Sequence, residues 1–469
     1  MKKSQFAVNL LLVVLFCSSS ISAQVSFGSE RVITTAVDSV NFVYACDLDG
    51  DSDKDVLSAS TIDGKVAWYQ NDGKGHFGNQ QVIATYTPDY SPWASGVDVY
   101  ACDLDGDGDS DVLSASAMDG KIAWNQNNGT GIFGDLQNID STVVWPQSIY
   151  ACDLDSDGDM DVLSVPEDSI AWYQNDGAGQ FGPQQVIYPD GANLLNACDL
   201  DGDSDMDVLS GGYKIAWYQN DGTGQFGNQQ VIATRTDPRF WFVYVSACDL
   251  DGDGDKDVLA VYFDRIAWYE NDGTGHFGGP QNITPSTDPR SAYVCDLDND
   301  GDLDVLSVEY SQWGYLTWYE NDGAGNFGSQ QPIQQVLNNP KIYAYDLDGD
   351  GDMDLLFAYR DRISWYENLL INTDVENNNR VVHDFRLSQN YPNPFNPTTV
   401  ISYQLSVNSA VKLKIYDLSG REITTLVNER KPAGRYSVEW DAKGLASGIY
   451  YYRLEAGNHI ETRKMIVMK

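Results

Sequence analysis

Seven short segments of this 469-residue chain carry aspartate at every second position over nine residues. They are Asp47, Asp49, Asp51, Asp53 and Asp55; Asp103, Asp105, Asp107, Asp109 and Asp111; Asp153, Asp155, Asp157, Asp159 and Asp161; and Asp199, Asp201, Asp203, Asp205 and Asp207. The remaining three are Asp249, Asp251, Asp253, Asp255 and Asp257; Asp296, Asp298, Asp300, Asp302 and Asp304; and Asp346, Asp348, Asp350, Asp352 and Asp354. Five carboxylates held this close repel one another, so a compact loop needs a cation. Calcium suits such a loop, because it is a hard ion that takes six to eight oxygen ligands. Zinc would favour His or Cys, and magnesium demands a tighter octahedral shell. The pattern therefore predicts up to seven Ca2+ sites. Each would staple a hairpin, with an affinity of roughly 10⁻⁴ to 10⁻³ M, as in extracellular modules.

The elements that position these loops also repeat. Successive loops begin 56, 50, 46, 50, 47 and 50 residues apart. A second motif, Trp-(Tyr/Asn)-(Gln/Glu)-Asn, starts at Trp68, Trp124, Trp172, Trp217, Trp268, Trp318 and Trp365. A third, Phe-Gly before a Gln- and Val/Ile-rich run, starts at Phe77, Phe133, Phe181, Phe226, Phe277 and Phe327. The third set lacks a seventh member after Asn368, and Phe27-Gly-Ser-Glu-Arg-Val-Ile33 supplies it at the other end of the chain. In the first unit, strands are expected over Asn41–Cys46, Val56–Ser60, Lys65–Gln70 and Gln80–Thr85, separated by Asp/Gly turns. Four strands per unit of about fifty residues fit a propeller blade. The fold class is all-β: a seven-bladed β-propeller closed by the N-terminal strand, which hides the sheet edges.

Residues 1–23 read as a signal peptide, with Lys2 and Lys3, an apolar run from Phe6 to Phe16, and small residues up to Ala23. No later stretch is long and apolar enough for a membrane helix. The chain carries a formal charge of -40, unevenly spread: from Arg386 onward the balance is +5, and over residues 24–385 it is -47. So acidic a body is a poor partner for nucleic acid. The charge break separates a propeller over 24–368, an Asn-rich linker over 369–385 and a C-terminal domain over 386–469. In the last, expected strands Thr399–Leu405, Val411–Tyr416, Tyr436–Trp440, Ile449–Leu454 and Ile460–Met468 make a small Ig-like β-sandwich.

The acidic loops resemble those of FG-GAP and VCBS repeats, the family that includes the propeller of integrin α-subunits, over about Phe27–Asn368. The resemblance implies that side chains at loop positions 1, 3, 5 and 9 bind calcium and that position 7 gives its carbonyl. In the first loop these are Asp47, Asp49, Asp51 and Asp55, with Asp53 at position 7. Position 6, commonly Gly in the family, is Ser at Ser52 and Ser204. The C-terminal segment resembles the type A sorting domain of the bacterial type IX secretion system. This rests on Asn390-Tyr-Pro-Asn-Pro-Phe395, Lys414-Ile-Tyr-Asp-Leu-Ser-Gly-Arg421, Gly448-Ile-Tyr-Tyr-Tyr-Arg453 and Lys464-Met-Ile-Val-Met-Lys469. It implies passage through the periplasm, a partner in the outer-membrane secretion machinery, and a secreted or cell-surface destination.

Cys46, Cys102, Cys152, Cys198, Cys248 and Cys295 each stand just before a loop, with Tyr345 in the seventh repeat. Buried thiols between blades are expected there, with disulfides as the alternative for an exported chain. The repeated tryptophans are expected as inter-blade core rather than as a sugar-stacking set. Regular loops serve architecture, whereas irregular loops on a rigid scaffold carry recognition. The irregular connections hold Trp93, Trp145, Arg239, Trp241 and Trp313, a candidate ligand site; the alternative is that these aromatics fold back over the blades. Nothing pairs the irregular acids Asp89, Glu167, Asp264 and Glu309 into a catalytic constellation. The expected function is a binding or adhesion module for a glycan or extracellular protein. A polysaccharide lyase or glycosidase, or a purely structural surface protein, is the alternative.

Overall fold

The computed structural model describes residues 25–469 apart from 91–95, 168, 190–191, 193, 235–243, 263, 285–288, 310–313, 337–339, 371–385, 388–389, 391–394, 396–397, 406–408, 417–420, 432–433, 444, 446–447, 457–458 and 468–469. Two units part between Ile371 and Asn372. Among the described residues there is no helix, and so none long and apolar enough to cross a membrane.

The larger unit is built from repeated four-stranded antiparallel sheets, seven among the described residues. In the first, strands Val40–Cys46, Asp55–Ser60, Lys65–Tyr69 and Gln81–Thr85 follow one another in sequence and in space. The second strand, Asp-Val-Leu-Ser-Ala-Ser, is buried at every residue, because its small and apolar side chains meet a neighbouring sheet on each face. The fourth is largely exposed and forms the outer edge. Six first strands end at the Cys that pairs with position 9 of the following loop, as Cys46 pairs with Asp55 and Cys295 with Asp304, and the seventh ends at Tyr345, which pairs with Asp354. The acidic loop is therefore the hairpin connection itself.

The last sheet draws on both ends of the unit. Arg31–Thr34 pairs antiparallel with Ile363–Tyr366, and Phe27 bridges Asn368 as Phe77 bridges Asn71 in the first repeat. First strands touch from one repeat to the next, with ring pairs Tyr44–Tyr100 at 5.6 Å and Tyr100–Tyr150 at 4.9 Å. The seventh meets the first through Phe42–Tyr343 at 5.9 Å and Tyr44–Tyr345 at 6.2 Å.

Two devices lock neighbours together. The Asn that ends each Trp motif donates its side-chain amide to the loop Leu carbonyl of the preceding repeat: Asn127 to Leu48, Asn175 to Leu104 and Asn271 to Leu200, all at 2.8 Å. Asn71 makes the same bond to Leu347 at 2.7 Å, joining the first repeat to the last. Six of the motif tryptophans, all but Trp318, also pack beneath the second Gly of the next repeat's Asn-x-Gly-x-Gly turn. A Cβ on Gly131 would stand 2.4 Å from the Trp68 ring, so only glycine fits. All seven motif tryptophans are buried, as expected for inter-blade core. The six cysteines are free thiols within the apolar clusters between sheets.

Asn271→Ala removes the bonds to Leu200 and Lys256 and leaves the Leu200 carbonyl buried without this donor. The expected cost is about 1–3 kcal/mol, read as a lower urea midpoint with an unchanged slope.

The smaller unit has two antiparallel sheets. One joins Arg386–Leu387, Thr398–Leu405 and Gly434–Asp441; the other joins Glu422–Lys431, Ser409–Tyr416, Gly448–Ala456 and His459–Val467. Their inner residues, including Tyr403, Trp440, Ile415 and Leu454, form one apolar cluster. Glu422–Lys431 is a strand that the sequence reading omitted. Of the Asn390–Phe395 motif, Asn390 and Phe395 are described, and both are buried. The Asn390 amide donates to the Tyr452 hydroxyl at 2.8 Å and its side chain to Thr399 at 2.9 Å.

Candidate metal centres

Each acidic loop folds around its own carboxylates. In the first, Asp47 accepts from the amides of Gly50 at 2.7 Å and Ser52 at 2.9 Å, and Asp51 accepts from Asp53 at 3.0 Å. Asp55, fully buried, accepts from the Leu48 amide at 3.0 Å and the Asn71 amide at 2.8 Å. Position 6 needs a left-handed backbone, supplied by glycine in five loops. Ser52 and Ser204 adopt it too, at φ 77° and 76°, and keep the bond to position 1.

The chain thereby gathers carboxylate oxygens within 4.8 Å of one another: Asp47, Asp49 and Asp55; Asp103, Asp105 and Asp111; Asp153, Asp155 and Asp161; Asp199, Asp201 and Asp203; and Asp249, Asp251 and Asp257. Two further groups of this kind exist among the described residues. Such clusters of partly and fully buried aspartates could bind metal. The fit can be judged at position 3. Oδ1 of Asp49, Asp105, Asp155, Asp201, Asp298 and Asp348 is buried with no hydrogen-bond partner. A buried anionic oxygen left bare is costly, and a cation is the group that removes that cost. Position 7 lies apart: a Cβ on Gly73 would stand 2.4 Å from an Asp53 carboxylate oxygen, so that side chain packs against the Asn-Asp-Gly turn.

The other oxygen at position 3 has a partner that sequence reasoning passed over. Gln70 donates to Asp49 at 2.5 Å, Gln174 to Asp155 at 2.5 Å and Gln219 to Asp201 at 2.6 Å, all from the third residue of the Trp motif. In the last three repeats that residue is Glu270, Glu320 or Glu367. Their charges add to the burial and aspartate repulsion that raise Asp251, Asp298 and Asp348. Asp298, only 5% exposed, is pushed to about 8. The Gln/Glu alternation was visible in the motif, but its contact with position 3 spans 18–21 residues and has no local signature.

Burial also raises position 9: Asp55, Asp111, Asp161, Asp207 and Asp304 to about 7, Asp257 to about 6 and Asp354 to about 8. In an unfolded chain an aspartate titrates near ~4. The folded state therefore holds these protons more tightly than the unfolded state. The resulting stabilisation is full below pH ~4 and is lost as pH rises through about 7. In chelator, melting temperature should fall between pH 5 and pH 8. Calcium should flatten or reverse that slope, which thermal melts at matched ionic strength would read.

Of the five irregular-loop candidates, Trp145 is described: it is 39% exposed, at φ 48°, beside exposed Val144. Trp93, Arg239, Trp241 and Trp313 lie outside the described residues.

An FG-GAP-like repeat model matches residues 47–114, 103–164, 153–210, 199–260, 249–307 and 296–357. The chain belongs to the FG-GAP-like repeat family. A secretion system C-terminal sorting domain model matches residues 389–468. That domain marks this FG-GAP-like chain for secretion by the type IX system to the cell surface or extracellular space, and makes the secretion machinery its partner. No curated protein matches the chain.

Among solved structures, an Agrocybe aegerita lectin that recognises non-reducing terminal N-acetylglucosamine is similar at 18% identity and TM-score 0.51, over 69% of this chain and 86% of that one. A polysaccharide lyase of family PL25, an ulvan lyase, is similar at 12% identity and TM-score 0.49, over 74% and 96%. PorZ, a type IX secretion surface component of Porphyromonas gingivalis, is similar at 13% identity and TM-score 0.42, over 88% and 58%. At such identity the lectin likeness is one of fold.

Proposed function

We propose that this protein is a secreted, calcium-stapled seven-bladed propeller that acts as a binding or adhesion module for a glycan or extracellular protein. An Ig-like sandwich would follow it as the sorting domain. The observation that supports the reading is the bonding of repeat to repeat, first to last included, together with a bare, buried carboxylate oxygen at position 3 in most loops. Positions 1, 3, 5 and 9 of each loop would hold Ca2+, with the carbonyl at position 7. The ion would supply charge neutralisation and fix each hairpin. The residues themselves hold the loop open to it, through backbone amides at positions 2, 4, 6 and 7 that orient the carboxylates. Ligand contact is assigned to the irregular connections, with Trp93, Trp145, Arg239, Trp241 and Trp313 as anchors of the kind that dominate interfaces.

The test incubates residues 24–370 in calcium with immobilised polysaccharides and matrix proteins, scoring retained protein and released fragments together. Calcium-dependent retention without fragments is the expected result. Soluble fragments accumulating with time would instead make the protein a degrading enzyme.

A further inference from the structure

The seam between the seventh and first repeats differs from the others. At four seams, a Cβ on the position-4 glycine would stand 2.8–2.9 Å from the carbonyl of the next repeat's turn: Gly50 against Gly129, Gly106 against Gly177, Gly202 against Gly273, Gly252 against Gly323. At the closing seam, Gly349 against Gly73, the distance is 3.2 Å. Beside this looser contact lies a cavity of about 390 Å³, walled by Lys54 and Gly73 of the first repeat, Tyr345, Asp346 and Met353 of the seventh, and Tyr293 of the sixth. Tyr345 stands where the other six repeats carry Cys, so the seam gains an aromatic ring that no other seam has at this position. Its ring lies beside that of Tyr293, with centroids 6.2 Å apart and planes at 57°.

The geometry points to this cavity as a binding site for a neutral sugar residue, separate from the irregular-loop face. Its size lies within the range of about 300–1,000 Å³ common to small-molecule sites. Tyr293 and Tyr345 line it with aromatic carbon on which the C–H side of a pyranose ring packs. The Asp53 carboxylate in the wall, whose side chain is not one of those assigned to calcium, accepts from a sugar hydroxyl, and the exposed Lys54 ammonium donates to ring or hydroxyl oxygens. The surrounding acidic loops set the charge: an anionic sugar meets a negative field, whereas a neutral one meets no Coulomb penalty. The calcium reading enters only in the state of the first and seventh loops, which form two walls.

Ligand-observed NMR on the full secreted chain in calcium tests this. The probes are the methyl glycosides of glucose, galactose, mannose and N-acetylglucosamine, with methyl glucuronide as the charged comparison. At least one neutral probe should bind, and glucuronide should bind at least tenfold more weakly. Tyr345→Cys installs the residue of the other six repeats, and Lys54→Ala changes an exposed side chain; each should weaken the neutral probe at least tenfold. No neutral binding, equal binding of glucuronide, or binding that survives both seam substitutions overturns the inference. Binding lost in Trp145→Ala but kept in both seam variants overturns it while leaving the proposed function standing. Failure of the seam with intact retention in the immobilised-ligand assay does the same.

Discussion

Stripping calcium with a chelator should lower the melting midpoint of the larger unit by about 15 °C or more, from ~2.7 kcal/mol per site at a hundredfold excess over Kd if only three sites contribute, at ~2 °C per kcal/mol. The reason lies in the loops. Each holds five aspartates, and most leave a buried oxygen at position 3 without a partner. The loops are also the hairpins that join first and second strands, and their Leu carbonyls receive the Asn bonds from the next repeat. Loosening one loop therefore loosens a seam. Scanning calorimetry in chelator and in calcium reads the shift, and magnesium should restore less of it than calcium. The transition of the smaller unit, which lacks acidic loops, should stay in place. Equal midpoints for the larger unit in both conditions would contradict the proposal.

Removing residues 24–36 should open the last sheet. Val25, Phe27 and Ile33 pack against the cores on either side of it, at about 1–2 kcal/mol each for partial burial. Arg31 pairs with Glu367, and Glu30 pairs with Arg362 at 2.8 Å. Without them the strand Ile363–Tyr366 becomes a free edge, a template for pairing with another chain. The shortened protein should melt lower and associate in a concentration-dependent way. A synthetic peptide of residues 24–36 should restore both properties. A monomer with unchanged midpoint would show that the N-terminal strand does not close the sheet.

Much of this was legible in the sequence. The seven loops, the four strands of the first repeat and the split of the last sheet between Phe27–Ile33 and Asn368 all rest on motifs that recur in register. Their hydrogen-bonding partners were not legible. Asn127 and Leu48 lie 79 residues apart, so the bond between them leaves no mark on local pattern. The strand Glu422–Lys431 escaped for a different reason. Its pairing with Ser409–Tyr416 carries two register shifts, near Leu413/Lys414 and Ile415/Tyr416, which break the two-residue alternation that identifies a strand. The irregular loops offer no repeat to align, and four of their five candidate anchors lie outside the described residues.

The most direct measurement is the number of calcium ions bound per chain, by equilibrium dialysis of the secreted protein against labelled calcium up to tens of millimolar, roughly tenfold or more above the 10⁻³ M end of the expected range. The account predicts saturable uptake approaching seven ions, one for each acidic loop, with Asp298→Ala lowering the count by one. Absence of saturable uptake over that range would contradict it.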